Sequence, residues 1–221
     1  MTRISGWLTD ARVTAWMSLL PLVFFATEWV VAATWRGHYG YRDDQLGPLG
    51  IAFCGPAGDW PCSELYRAVN VGLVAAGLAV AFVAASLLAQ RVAGRGPATL
   101  LLVAGLGLAT SGVVTHRVDY SWNLTAIVIF MTLGSVSVVF IALETPAKMT
   151  LERRGLAGLS GAVSLVGYVT YMGGHTVFGS GGSQRMAIYG ILIGVIALGT
   201  DGFRSRTDPD TGIPVPVGEM R

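Results

Sequence analysis

At 221 residues the chain could make one or two domains. Its 52% hydrophobic and only 13% charged residues exclude an ordinary water-facing globule, whose composition runs at about 25% charge. Mean hydropathy is +0.59. The net charge of +2 comes from fourteen Arg and a single Lys, too few and too scattered for a nucleic-acid face. Two Cys permit one bridge and exclude a disulfide-rich scaffold. What remains is an all-α fold, a polytopic transmembrane bundle whose outer surface faces lipid.

A helix needs about 20 mostly apolar residues to cross a bilayer core. Six segments qualify: Val13 to Thr34, Ala68 to Leu88, Ala98 to Thr115, Leu124 to Leu143, Leu156 to Val177 and Met186 to Phe203. The first is read as a retained helix, not a signal peptide, because it is long and carries Glu28. Residues 1–203 then form one six-helix domain, and residues 204–221 a tail without helical period. With six spans both ends lie on one side. That side holds ten Lys and Arg (Arg3, Arg12, Arg91, Arg95, Lys148, Arg153, Arg154, Arg204, Arg206, Arg221) and the other five. The bias puts both termini in the cytoplasm. Trp29, Trp35, Trp60, Tyr120 and Trp122 then gather at the outer interface, where amphipathic rings prefer to sit. The Ala-, Gly- and Arg-rich composition points to the cytoplasmic membrane of a bacterium.

The loop from Trp35 to Arg67 is the one sizeable soluble piece, and it faces outward. Cys54 and Cys62 in it are separated by a turn-rich stretch with Gly55, Pro56, Gly58 and Pro61. That spacing lets the sulfurs meet in an oxidising compartment, so a disulfide is favoured over a metal pair or free thiols.

An ionisable group inside a span is a functional-site hypothesis by default, which singles out Glu28. It either faces the bundle, protonated or paired with an Arg such as Arg67 or Arg117, or it serves as a proton-carrying or ligand-binding carboxylate. Asn70, at the start of the second span, reads as interhelical glue. All three histidines, His38, His116 and His175, fall on the outer side, with Asp43, Asp44, Glu64 and Asp119. Such a set could hold zinc with an open position, and His116 and His175 could be axial ligands of a haem. No HxxxH, HExxH or CxxCH motif supports either, so histidines on water-facing loops are the plainer account and no cofactor is expected. His116-Arg117-Val118-Asp119-Tyr120 reads as a short turn paired with the first loop. Tyr39, Tyr41, Arg42, Asp43 and Asp44 form a polar cluster that would be a solvated loop or a head-group lining.

Gly190 with Gly194, Gly155 with Gly158 and Gly161, and Gly105 with Gly112 are small-residue seams, read as internal packing before partner contact. On the cytoplasmic side, Glu144 to Lys148 and Glu152-Arg153-Arg154 suit anionic head groups. No phosphate-binding Gly loop, GxSxG elbow, intramembrane Lys or Arg series is present.

The arrangement Arg42-Asp-Asp-Gln-Leu-Gly-Pro-Leu-Gly50, then Cys54, then Cys62-Ser63-Glu64-Leu-Tyr66, then Asn70 opening a span resembles bacterial six-helix membrane proteins. These are domain-of-unknown-function family 998, distantly like FRAG/DRAM-type proteins. The family usually opens its fourth helix with a His, where this chain has Trp122-Asn123. The resemblance would cover about residues 13 to 200, and it implies a six-helix fold and no established activity.

Three functions are carried forward. The first is a non-catalytic accessory or lipid-binding subunit, its partners membrane lipids and a larger membrane complex. The second is an outward-facing metal-dependent, hydrolase-like enzyme using His38, His116 and His175 with Asp43 or Asp119. The third is a small proton-coupled transporter using Glu28. The candidate binding residues are Glu28, Arg42, Asp43, Asp44, His116, Arg117, Asp119 and His175.

Overall fold

A computed structural model describes residues 2–51, 54–55, 60–144, 149–174 and 177–203. The described residues hold helices and no strand: α1 (Thr2–Thr9), α2 (Ala11–Ser18), α3 (Pro21–Ala33), α4 (Tyr66–Ala89), α5 (Arg95–Val113), α6 (Tyr120–Leu143), α7 (Leu151–Met172) and α8 (Gly179–Gly199). Single 3₁₀ turns occupy Gly47–Gly50 and Thr200–Phe203. Six stretches are long and apolar enough to span a membrane: Ala11–Ala33, Tyr66–Ala89, Arg95–Val113, Tyr120–Leu143, Leu151–Met172 and Gly179–Phe203.

All six spans expected from hydropathy are present; the fifth lies five residues earlier than expected at both ends, at Leu151–Met172, and two further corrections apply. The first is not one helix but α2 and α3, interrupted at Leu19 and Leu20 ahead of Pro21. Proline has no N–H to continue the ladder, yet its fixed φ suits the first turn of a new helix. The last span starts at Gly179, seven residues before the expected Met186, so Gly179-Ser-Gly-Gly-Ser-Gln-Arg185 is helical. Glycine lowers both hydropathy and helix propensity, and the packing of this segment overrides both.

Neighbours in sequence are neighbours in space from α3 through α8, and α8 also meets α2, α4 and α6. It is the most buried span, with Ile188, Ile191, Leu192 and Val195 fully enclosed. The close approaches rest on small residues. A Cβ on Gly77 of α4 would stand 2.3 Å from the backbone N of Ala109 on α5, and one on Gly190 of α8 would stand 2.5 Å from the carbonyl of Ser160 on α7. Gly105, Gly112, Gly161 and Gly194 likewise face neighbouring helices, as the internal reading expects. Gly155 has nothing within 4 Å of a built Cβ and Gly158 only Ala142 at 3.6 Å, so the seam in α7 begins at Gly161.

Candidate functional site

The long loop folds onto the glycine-rich head of α8, and the backbone there explains the composition. Gly179 has φ +74°, a left-handed conformation that L side chains resist, and a Cβ there would lie 2.3 Å from the Arg42 carbonyl. A Cβ on Gly181 would lie 2.2 Å from the Asp44 carbonyl. Without side chains at these points the two backbones dock directly. Gly182 donates its N–H to the Arg42 carbonyl at 2.8 Å. Ser180 Oγ donates to the Asp43 carbonyl at 2.5 Å, and Gln184 Oε1 accepts from Leu46 N at 2.9 Å.

Arg185 follows on the same turn, its side chain 5% exposed. Its Nε donates to Glu28 Oε1 of α3 at 2.8 Å. Nη1 donates to the Tyr41 carbonyl at 2.9 Å and the Asp44 carbonyl at 2.7 Å, and Nη2 donates to the Tyr39 hydroxyl. The guanidinium lies 4.7 Å from the Tyr41 ring centroid and 5.4 Å from that of Tyr39. One turn on, Tyr189 donates to the second Glu28 oxygen at 2.5 Å. A buried charge is tolerated only when paired and hydrogen-bonded, and here both ions meet that condition. Tyr39 also donates to the Gln45 carbonyl at 3.0 Å. Burial raises the Tyr39 hydroxyl to about 12, against the pull of the nearby Arg185. Burial also raises Tyr41.

Glu28 therefore faces the bundle, but its partner is Arg185 and neither Arg67 nor Arg117. Helix α8 carries Arg185 inside the span, where hydropathy had left it in the outer loop. Asp44 turns its carboxylate back on Gly40 N at 2.7 Å. The side chains of Arg42 and Asp43 are exposed, while their backbones join α8.

His116, Arg117 and Asp119 lie elsewhere, in the turn between α5 and α6. Asp119 Oδ1 caps α6, accepting from Trp122 N at 3.0 Å. Arg117 is exposed. His116 abuts Gly47, where a Cβ would meet its Nδ1 at 2.5 Å, and stacks on Tyr120 with centroids 4.5 Å apart. Burial holds its pKa below the ordinary imidazole value. Beside it is a small, mostly apolar cavity of about 10 Å³, lined by Leu46, Leu73, Leu108 and Ile188 with the polar Asn70, Ser111, Thr115 and Asn123 on its wall. Asn70 Nδ2 donates to the Gly50 carbonyl at 3.1 Å, and Asn123 Nδ2 donates to Ser111 and Val114 carbonyls at 2.9 and 2.8 Å. Asn70 thus ties α4 to the long loop, where a bond between helices was expected. Asn123 does the same for the α5–α6 turn and was not anticipated.

His38 is exposed, and His175 lies outside the described residues. Among the described residues no three of His, Cys, Asp or Glu gather closely enough to hold a metal. Cys54 and Cys62 form the expected disulfide, Cα atoms 5.2 Å apart. At the opposite end of the bundle, Glu144 accepts from Gly94 N at 2.6 Å. Arg153 donates to Thr200 Oγ1, and Arg154 to the Ala142 carbonyl at 3.2 Å. Residues 145–148 and 204–221, part of the basic loop and the tail, lie outside the described residues.

An open groove of about 460 Å³ runs along the outside of α7 and α8, lined by Leu156, Leu159, Val163, Met186, Tyr189 and Ile193. Ser160, Gly182, Arg185 and Gly190 complete its lining. Comparison of the chain with protein-family models, with curated proteins and with solved structures finds no match.

Proposed function

We propose that the chain is a non-catalytic, multi-pass protein of a bacterial cytoplasmic membrane, serving as an accessory or lipid-binding subunit of a larger complex. The observation that carries this is the occupancy of the buried charges. Both Glu28 oxygens accept hydrogen bonds from Arg185 and Tyr189, and Arg185 is bound by four groups of the chain itself. A proton-carrying carboxylate needs a state in which it is released, and a catalytic one needs a face turned to substrate. Glu28 instead ties α3, α8 and the outer loop into one body. The groove on α7 and α8 supplies a surface for lipid. The excess of Lys and Arg on the side of the termini supports a cytoplasmic N- and C-terminus. Membership of domain-of-unknown-function family 998 belongs to the same reading, on the loop motif and Asn70.

Purification from native membranes in mild detergent, followed by protein and lipid mass spectrometry and metal analysis of one sample, tests this. Stoichiometric lipid or a co-purifying subunit is the expected result. A lone chain carrying zinc or haem would overturn it in favour of the outer histidines.

A further inference from the structure

Gly47 and Gly50 bracket a single 3₁₀ turn of the long loop. Positions three apart in such a turn eclipse one another, so the two glycines share one face. That face is bare of side chains, and the bundle meets it with polar groups. A Cβ on Gly50 would stand 2.3 Å from Asn70 Oδ1 of α4, and one on Gly47 would stand 2.5 Å from His116 Nδ1 of the α5–α6 turn. Both glycines, Asn70 and His116 line the cavity of about 10 Å³, together with Thr115 and Asn123.

The two amides at this cavity have committed donors and free acceptors. Asn123 Nδ2 gives both hydrogens to the Ser111 and Val114 carbonyls, and Asn70 Nδ2 donates to the Gly50 carbonyl. Among the described residues no donor reaches Oδ1 of either one, although Asn123 is only 6% exposed. Side-chain atoms sealed in without a partner occur at Ser86, Thr150, Ser183 and Asp201 and not here, so open space adjoins both oxygens. His116 also makes no hydrogen bond among the described residues. A buried acceptor with no donor is costly, and these two face the same small space.

We infer that this cavity is the binding site of one ordered water, which donates to Asn70 Oδ1 and Asn123 Oδ1 and bonds to Thr115 or His116. About 10–15 Å³ is room for a single water, which needs two to four polar partners. Two amide oxygens ask for two hydrogens, and a threonine hydroxyl or a neutral imidazole can give or take the remaining bond. Among the described residues no carboxylate lines the cavity, so a cation would be buried there without a counter-charge. The water joins what the chain's own bonds leave in two pairs. Asn70 links α4 to the loop, Asn123 links α6 to the end of α5, and the water links one pair to the other.

The test uses crystals of the full chain grown in lipidic mesophase, in sodium salt and in rubidium salt, at a resolution that shows ordered water. Each should show one peak within hydrogen-bond distance of both amide oxygens and no anomalous signal there. Clear density for Asn70 and Asn123 with no peak between them would overturn the site. A rubidium signal would overturn water in favour of a monovalent cation. In detergent solution, nuclear Overhauser transfer from water to the Asn123 side-chain amide should carry the sign of a water held as long as the protein tumbles. Transfer of the opposite sign, or none, would overturn a bound water. Gly50→Ala sets a methyl against Asn70 Oδ1 and should lose both the peak and the transfer. A Gly50→Ala chain that unfolds cooperatively yet keeps both would overturn the place assigned to the water, and if this variant does not fold the wild-type measurements decide.

Discussion

Arg185 of α8 and Glu28 of α3, 157 residues apart in the chain, meet at 2.8 Å inside the bundle with side chains 5% and 1% exposed. Removing one member strands the other in a low-dielectric interior, which costs about 3–5 kcal/mol where such pairs have been broken. Arg185→Leu should therefore lower the thermal unfolding midpoint sharply in detergent. Glu28→Gln should lower it less, because the amide oxygen still accepts a bond. Replacing both by apolar residues, Glu28→Leu with Arg185→Met, should recover part of the loss. A double variant as unstable as the sum of the singles would show that the two residues act independently.

The head of α8 makes an opposite pair of predictions for glycine. Gly179→Ala forces an L side chain into a left-handed backbone, about 1–2 kcal/mol before any clash, and puts its Cβ on the Arg42 carbonyl. Gly181→Ala strikes the Asp44 carbonyl. Both should free the long loop, read as faster proteolysis between residues 35 and 67 and a lower unfolding midpoint. Gly155→Ala, in the second turn of α7 with open space around it, should instead be neutral or stabilise by about 0.5–1 kcal/mol.

These two cases mark how much the sequence could reveal. The spans were legible because lipid demands about 20 apolar residues in a row, whatever their partners. The disulfide was legible because its two cysteines are local and joined by turn residues. Glu28 stood out as a charge in a span. Its partner did not, because Arg185 follows Gly-Ser-Gly-Gly-Ser-Gln, a stretch that reads as loop by hydropathy and propensity alike. Only the contact with residues 42–46 makes those small residues helical, and that contact is set by tertiary structure. Tyr189 was hidden for the same reason, and Tyr39 stood out only as part of a polar cluster: their hydroxyls matter only once Arg185 is placed.

The disulfide closes a loop of sequence separation 8. Chain-entropy reasoning gives such a short closure about 2–3 kcal/mol. The bridge stands at the base of the loop, where Arg36 N donates to the Cys62 carbonyl at 2.8 Å and Trp60 N to the Cys54 carbonyl at 2.9 Å. A Cys54→Ser, Cys62→Ser variant should keep the helical circular dichroism of the wild type, since no span depends on the bridge. Its unfolding midpoint should fall, and its loop should become protease-sensitive. Loss of helical signal would mean that the loop organises the bundle and does not merely cover it.

The half-buried rings of His116 and Tyr39, outside the spans, contribute to the pH window of stability, and Tyr41 adds to its alkaline side. His116 has its pKa lowered by burial, so the folded chain favours the neutral ring while the unfolded chain titrates near 6.5. As pH falls below about 6.5 the unfolded state binds the proton first, and stability drops. Tyr39 has its pKa raised from 10.0 to about 12, so the folded chain favours the protonated phenol. Between pH 10 and about 12 the unfolded state loses its proton first, and stability drops again as pH rises. Unfolding midpoints measured across this range should form a plateau with two shoulders. His116→Asn should flatten the acidic shoulder and leave the alkaline one, and Tyr39→Phe should shrink the alkaline shoulder, to which Tyr41 also contributes, while lowering the whole plateau, because it also removes an acceptor from Arg185. An alkaline shoulder unchanged in Tyr39→Phe would assign it to another group and remove Tyr39 from the lock between the loop and α8.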